Sequence, residues 1–218
     1  VKSNDNNAVL YLDKAGTGFQ SAIYGRAGAS STRWAMVFGD NFAESGSNAG
    51  SNFELYRYSD TGVSLGTPLT VNRATGAVAI LGSGTNDNAL VGFVGETFAT
   101  AIASNQAMTT ATPMNVGSVS LTAGDWDVSG YVQFTPSAAP TMLACGINVT
   151  SAALPAGNTQ YSVQQLALAF TSGAVQVLGT GRTRISLAAT TSVYLVAQGT
   201  FASGTLNAQG YINARRRR

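Results

Sequence analysis

Asp125 and Asp127 stand two apart in the stretch GDWDVSGYVQF, residues 124–134. In an extended chain that spacing puts both carboxylates on one side, with Cα atoms about 7 Å apart. Such a pair could serve glycoside hydrolysis or hold Ca²⁺. A glycosidase also needs a sugar-binding cleft and a calcium site an Asp-rich loop, and neither is written around these two. Two solvated charges at a strand entrance are the plainer account. Cys145 lies in the apolar run MLACGINV, and no histidine exists in the chain to activate it. It reads as a small buried hydrophobe and not as a nucleophile. Asn148, Val149 and Thr150 form a glycosylation sequon by pattern, expected to stay silent without a secretory signal. GTGRT, Gly179 to Thr183, is glycine-rich but lacks the spacing and the lysine of a phosphate-binding loop; a hairpin turn fits it better. The sequence therefore assigns no catalytic, cofactor-binding or metal-binding residue, and no enzyme is expected.

Groups suited to contact are easier to find. Arg182 and Arg184 alternate with Thr183 and Ile185, so they are expected to line an exposed face or to pair with Asp across a subunit contact. Arg215, Arg216, Arg217 and Arg218 form the one charge run, able to grip an acidic surface or phosphate, with a solvated strand end as the bland alternative. Tyr56, Tyr58, Tyr131, Tyr161 and Tyr211 stand beside polar residues. A tyrosine can stack on a sugar face while offering a hydroxyl, and it can equally edge a core or a subunit interface. The candidate contact set is Tyr131, Tyr161, Arg182, Arg184 and Arg215 to Arg218.

Composition limits the alternatives. Charged residues are only 10% of the 218, which argues against intrinsic disorder and suggests a surface covered by copies of the same chain. Net charge is +2, yet without the last four arginines it becomes −2, and there are two lysines in all. The body therefore lacks the clustered cations that nucleic acid requires. A single cysteine excludes an intrachain disulfide. No signal peptide is read at Val1 and no apolar run approaches the ~20 residues of a membrane helix, so a soluble, cytosolically assembled protein is expected.

These residues must be positioned by strands, because helical periodicity is missing. Ala8 to Leu12, Phe19 to Tyr24, Arg33 to Phe38, Phe53 to Tyr58 and Pro68 to Asn72 are strand-like runs between turn clusters rich in Gly, Asn and Asp. Five or six short strands are expected over residues 1–81, with too little apolar content to form a self-sufficient core. Gly82 to Asn88, GSGTNDN, reads as a linker. Nine longer candidates follow over residues 89–218: 96–103, 114–121, 125–135, 141–150, 161–169, 174–178, 182–187, 192–201 and 205–214. Their spacing predicts a β-sandwich, with Pro113, Pro136, Pro140 and Pro155 between strands. In the 125–135 strand Trp126, Val128, Val132 and Phe134 share one face, which makes Trp126 a core anchor. Apolar groups occupy both faces of 192–201, a pattern that fits a sheet packed against another subunit, in preference to a central strand covered by the chain's own loops.

The strings GD, AESG, NAGS, RY, LGTPL and NRATG, between Gly39 and Gly76, resemble a unit of tail-fibre and related virion proteins of tailed bacteriophages. The resemblance covers about a quarter of the chain and identifies a building block, not an activity. It implies an elongated, β-rich, homotrimeric virion appendage, assembled in the bacterial cytoplasm. Other virion proteins and bacterial surface polysaccharide or protein would be its partners, and lipopolysaccharide phosphate a target for the arginine run. LTAGDWDVSGYVQF is similar to an early strand of the trimeric jelly rolls of C1q and tumour-necrosis-factor-like domains. RISLAATTSVYLVAQGTF, Arg184 to Phe201, resembles their later hairpin, and AQGYINA their last strand. The combined expectation is an all-β, homotrimeric chain: a small fibre or stalk domain, then an antiparallel jelly-roll-like β-sandwich that attaches to a host surface. A capsid-decorating, head-fibre, tail or baseplate component is the alternative, and a polysaccharide depolymerase a lesser one.

Overall fold

In the computed structural model every regular element among the described residues is a β-strand, as the alternating patterns require. Residues 2–4, 7–28, 31–101, 105–157, 161–168 and 170–218 are described. The chain divides into two compact units, Val1–Asn86 and Asp87–Arg218.

In the first unit β1 (Lys2–Asn4) and β2 (Asn7–Val9) make a short hairpin. The run expected to continue to Leu12 stops at Val9. With no further strand beside them, Leu10, Tyr11 and Leu12 stay exposed and irregular. β3 (Ser21–Ala27), β4 (Ser31–Gly39), β5 (Phe53–Tyr58), β6 (Ser64–Val71) and β7 (Val78–Ile80) form a five-stranded antiparallel meander in chain order. Pro68 sits inside β6, where the register with β5 shifts and a ladder donor can be spared.

The long turn between β4 and β5 is held by its polar side chains. Asp40, nearly buried, accepts from the Phe42 amide at 3.1 Å and from Asn52 Nδ2 at 2.7 Å. Asn52 Oδ1 accepts from the Arg73 amide, while the Arg73 guanidinium donates to the carbonyls of Asn48 and Ala49. Glu44 pairs with Lys14 and Arg73. The residues that carry the fibre-like string therefore fasten one turn.

That meander has two unlike faces. Ala35 and Val37 are buried on one, but cross-strand register places Ile23, Trp34, Met36, Val78 and Ile80 on the other, with Phe38 continuing the row. Those six side chains are between 42% and 77% exposed. The expected lack of a self-sufficient core takes this form: an apolar sheet face that is largely exposed around the half-buried Phe53, Leu55, Leu69 and Val71.

The second unit is an antiparallel β-sandwich with jelly-roll-like alternation between its sheets. Its strands are β8 (Thr97–Ala101), β9 (Gln106–Ala107), β10 (Met114–Leu121), β11 (Gly124–Pro136), β12 (Met142–Asn148), β13 (Val163–Leu166), β14 (Gln176–Gly179), β15 (Thr183–Leu187), β16 (Thr191–Thr200) and β17 (Leu206–Arg216). One sheet runs β10-β16-β12-β13. In the other, β14 and β15 pair one edge of β11, β17 pairs the opposite edge, and β8 and β9 follow. Trp126, Val128, Val132 and Phe134 of β11, with Ile212 of β17 beside them, face Leu143, Cys145 and Ile147 of β12 and Val193 and Leu195 of β16 in one cluster. The Trp126 indole N–H donates to the Thr122 carbonyl at 3.0 Å, so its polar edge is satisfied inside the core.

Two expectations fail. Arg184 to Phe201 is not a hairpin: β15 pairs with β11 in one sheet, and β16 pairs with β10 and β12 in the other, so the turn between them crosses the sandwich. Nor does the two-sided apolar pattern of β16 need a second subunit. Val196 is fully buried within the single chain. Its cross-strand partner Gly146 lies under Pro155, which a Cβ there would approach to 2.8 Å, so Pro155 and Ser162 cover this part of the outer face.

The C-terminal run also departs from a solvated tail. β17 carries Arg215 and Arg216 in extended form, so the two point to opposite faces, and Arg216 turns inward. Its guanidinium is 5% exposed, bonds Glu96 Oε2 at 2.7 Å and lies 4.2 Å above the Trp126 ring. It also donates to the Ala123 carbonyl and the Thr122 hydroxyl. Gly124, at φ 140°, makes room: a Cβ there would collide with the guanidinium. Arg216→Ala should lower the stability of the second unit by roughly 3–5 kcal/mol, because the Glu96 charge would be left buried and unpaired. Combining Arg216→Met with Glu96→Gln should recover most of that loss in urea denaturation.

Candidate functional site: the arginine-rich sheet face

The face of β11 and β17 turned away from the core is set by register. Tyr131 opposes Tyr211, Ser129 opposes Asn213, and Asp127 opposes Arg215, while Arg184 of β15 flanks Asp127 on the other edge. Period two puts all of them on one side. This brings together Tyr131, Arg182, Arg184, Arg215 and Arg217 of the predicted contact set, and Arg218, past the end of β17, joins them through its ion pair with Asp125. Arg216 does not belong, being buried against Trp126. Tyr161 does not either; it is partly buried against the core cluster ahead of β13.

The two aspartates are not free solvated charges, contrary to expectation: Asp125 is buried and Asp127 half-buried. Asp125 is 6% exposed and takes Arg184 Nε at 2.8 Å on one oxygen and Arg218 Nε at 3.0 Å on the other. Asp127 lies 3.7 Å from Arg182 and 3.6 Å from Arg217. The arginines reach them because β15 and the chain end lie on opposite edges of β11. The pairing of Arg182 and Arg184 with Asp is thus met inside one chain, without a subunit contact. The hydrogen bond from Arg184 holds the Asp125 carboxyl below its ordinary value against the opposing effect of burial, with the charges of Arg184, Arg218 and Arg217 helping. Burial alone would raise Glu96, but hydrogen bonds from the Gly92 amide and Arg216 outweigh it and lower this carboxyl as well.

Charge does not cancel on this face. Arg182, Arg184, Arg215, Arg217 and Arg218 stand against Asp125 and Asp127, and Arg215 makes no ion pair among the described residues. An open cleft of about 260 Å³ lies among Val94, Asp127, Ser129, Arg182, Asn213 and Arg215 to Arg217. The Ser129 hydroxyl donates to Asn213 Oδ1 at 2.8 Å, leaving the Asn213 NH₂ as a donor. Next along the strands the Tyr131 and Tyr211 rings stack, 5.6 Å between centroids and 24° between planes. Sequence reasoning missed Asn213, Ser129 and Glu96; the signal for the first two was the polar alternation of β17 and β11, which names a face only once register is known. Cys145 is buried, donates weakly to the Leu178 carbonyl and has its thiol pushed up to about 12 by burial.

No family model and no curated protein sequence matches the chain. Among solved structures it is similar to the VP2 subviral particle of infectious bursal disease virus, with a TM-score of 0.40 and 13% identity over 73% of this chain and 46% of that one. A Gt-strain structure of the same virus gives 0.40 and 13% over 84% and 43%. A Stig cyclase from Fischerella sp. TAU in complex with an indole compound gives 0.27 and 10% over 98% and 94%. The chain spans less than half the length of the viral chains it matches. Likenesses this distant assign no family.

Because the Asp125 and Glu96 carboxyls are lowered on folding, their contribution is present above the unfolded carboxylate range and is lost as pH falls through the folded values. The urea midpoint of the second unit, followed by Trp126 fluorescence in a Trp34→Phe background, should therefore drop as pH is taken below about 4. Asp125→Asn should make that drop shallower.

Proposed function

We propose that this chain is a virion structural protein, a homotrimeric bacteriophage fibre or spike whose second unit attaches to a bacterial surface polysaccharide or protein. The observation that carries the reading is the arginine- and tyrosine-bearing sheet face. It is exposed and cation-rich in a chain otherwise poor in charge, and it stands on a rigid sandwich. Three copies of one weak site act through effective concentration, so modest affinity per copy suffices. The role is binding without catalysis: both aspartates that could have formed a catalytic pair are engaged by arginines. Assembly takes place in the host cytoplasm and the mature location is the particle.

The apolar face of the first unit supports self-association. Ile23, Trp34, Met36, Phe38, Val78 and Ile80 leave on the order of 700 Å² of apolar surface open per copy, close to the ~800 Å² per partner of a standard interface. Copies of the same chain are its proposed occupants. The same face favours the alternative reading, a capsid-decorating, tail or baseplate component with no receptor role, in which another virion protein covers it.

Light scattering should give about three times the 22.3 kDa chain mass, with Trp34→Glu and Met36→Glu together shifting the protein toward monomer; a monomer at micromolar concentration would sink the trimer. The intact chain should compete with particles for host cells. Particles that carry the chain yet bind cells equally well in its excess would favour decoration. Release of reducing sugar, lost in Asp127→Asn, would restore an enzymatic reading.

A further inference from the structure

The outer face of the second unit has a slot beside Tyr131 that its neighbours leave empty. Tyr131 stands between two cross-strand partners, Tyr211 on β17 and Gly179 on β14. Tyr211 stacks on one side of its ring. On the other side Gly179 has no side chain, no described residue lies within 4 Å of where a Cβ would be, and Tyr131 remains 47% exposed. The result is an aromatic wall over a bare backbone floor, open to solvent and held by strands. Two side-chain rows further along β11, about 13 Å by strand geometry, lies the cleft bounded by Arg182, Arg215 and Arg217, with the Ser129–Asn213 pair between.

The chemistry of the cleft is unbalanced. Three guanidinium groups and the Asn213 amide face one carboxylate, Asp127, so donors exceed acceptors and a positive charge is left over. At about 260 Å³ the cleft is smaller than the ~300 Å³ at which drug-sized sites begin, which suits a single ring or a small charged substituent. A ligand that satisfies both features must carry a saturated ring face for Tyr131 and, about two ring lengths away, an anionic acceptor for bidentate arginine.

We infer that the Tyr131–Gly179 slot and the Arg182–Arg215–Arg217 cleft form one binding site for an acidic oligosaccharide, with a sugar ring stacked on Tyr131 and a carboxylate held by the arginines. This rests on the attachment reading and supplies its ligand class. Nucleic acid is the competing polyanion. It is disfavoured because the cleft is small and a net charge of +2 leaves no extended basic track along the chain.

The test titrates the full-length chain calorimetrically with trigalacturonate, with maltotriose as a neutral ring-matched probe and with a trinucleotide as a phosphate-bearing probe. Trigalacturonate should bind at least tenfold more tightly than either. Gly179→Val fills the slot at a position with no positive φ and no neighbour to displace. It should weaken trigalacturonate at least tenfold while leaving the unfolding temperature unchanged. Arg182→Gln should weaken it several-fold and reduce its salt dependence. Equal binding of the neutral and acidic trisaccharides, an equal or tighter trinucleotide, or unchanged affinity in a folded Gly179→Val variant would each overturn the inference. Attachment is read separately by competition for host cells. Saccharide binding with no cell binding overturns attachment alone, and cell binding that survives Gly179→Val without saccharide binding overturns the site alone.

Discussion

One buried ion pair sets the position of the last strand in the second unit. Arg216 and Glu96 are 120 residues apart in the chain and meet at 2.7 Å beneath the Trp126 ring. Burying two charges is expensive, and only good geometry and further hydrogen bonds offset it. Here the guanidinium makes three hydrogen bonds, to Glu96, the Ala123 carbonyl and the Thr122 hydroxyl, and lies over the indole face. Backbone bonds run alongside, from the Arg216 amide to the Glu96 carbonyl and from the Gly95 amide to the Arg216 carbonyl. The last strand is thereby fixed at its end, where strands ordinarily fray. One Glu96 oxygen is left without a hydrogen-bond partner, so the pair is not free of cost.

Fixing Arg216 inward determines where its neighbours go. Alternation along β17 sends Arg215 to the opposite face, over β11, and Arg217, just past the strand, joins it there, where Asp127 meets Arg217 and Arg182. Asp125 is similarly clamped between Arg184 and Arg218. These pairs are largely exposed on the arginine side and contribute little stability one by one. Their effect is to hold several guanidinium groups in place without neutralising them, and the cleft and the tyrosine stack inherit that order.

The first unit is built on a different balance. It spends few residues on a core, with Ala35 and Val37 as its buried apolar groups, and organises its long turn through Asp40, Asn52, Glu44 and Arg73 instead. The outcome is a thin meander with a polar-fastened turn and an exposed apolar side.

The sequence by itself determined the all-β character, the nine main strands of the sandwich within a few residues, and the role of Trp126, because a period of two with large groups on one side survives any tertiary arrangement. It also showed which residue types were available for contact, and Tyr131, Arg182, Arg184, Arg215 and Arg217 do share one face, with Arg218 joined to it through Asp125. It could not tell that Arg216 leaves its own charge run for the core, since Glu96 comes from the far end of the domain. Nor could it show that Arg184 to Phe201 spans two sheets, that Pro155 and Ser162 cover the outer face beside Val196, or that the aspartates are clamped. Each of these depends on which strands become neighbours and in what register. Pairing across long separations is decided by the packing of the whole sandwich, and local pattern carries no record of it.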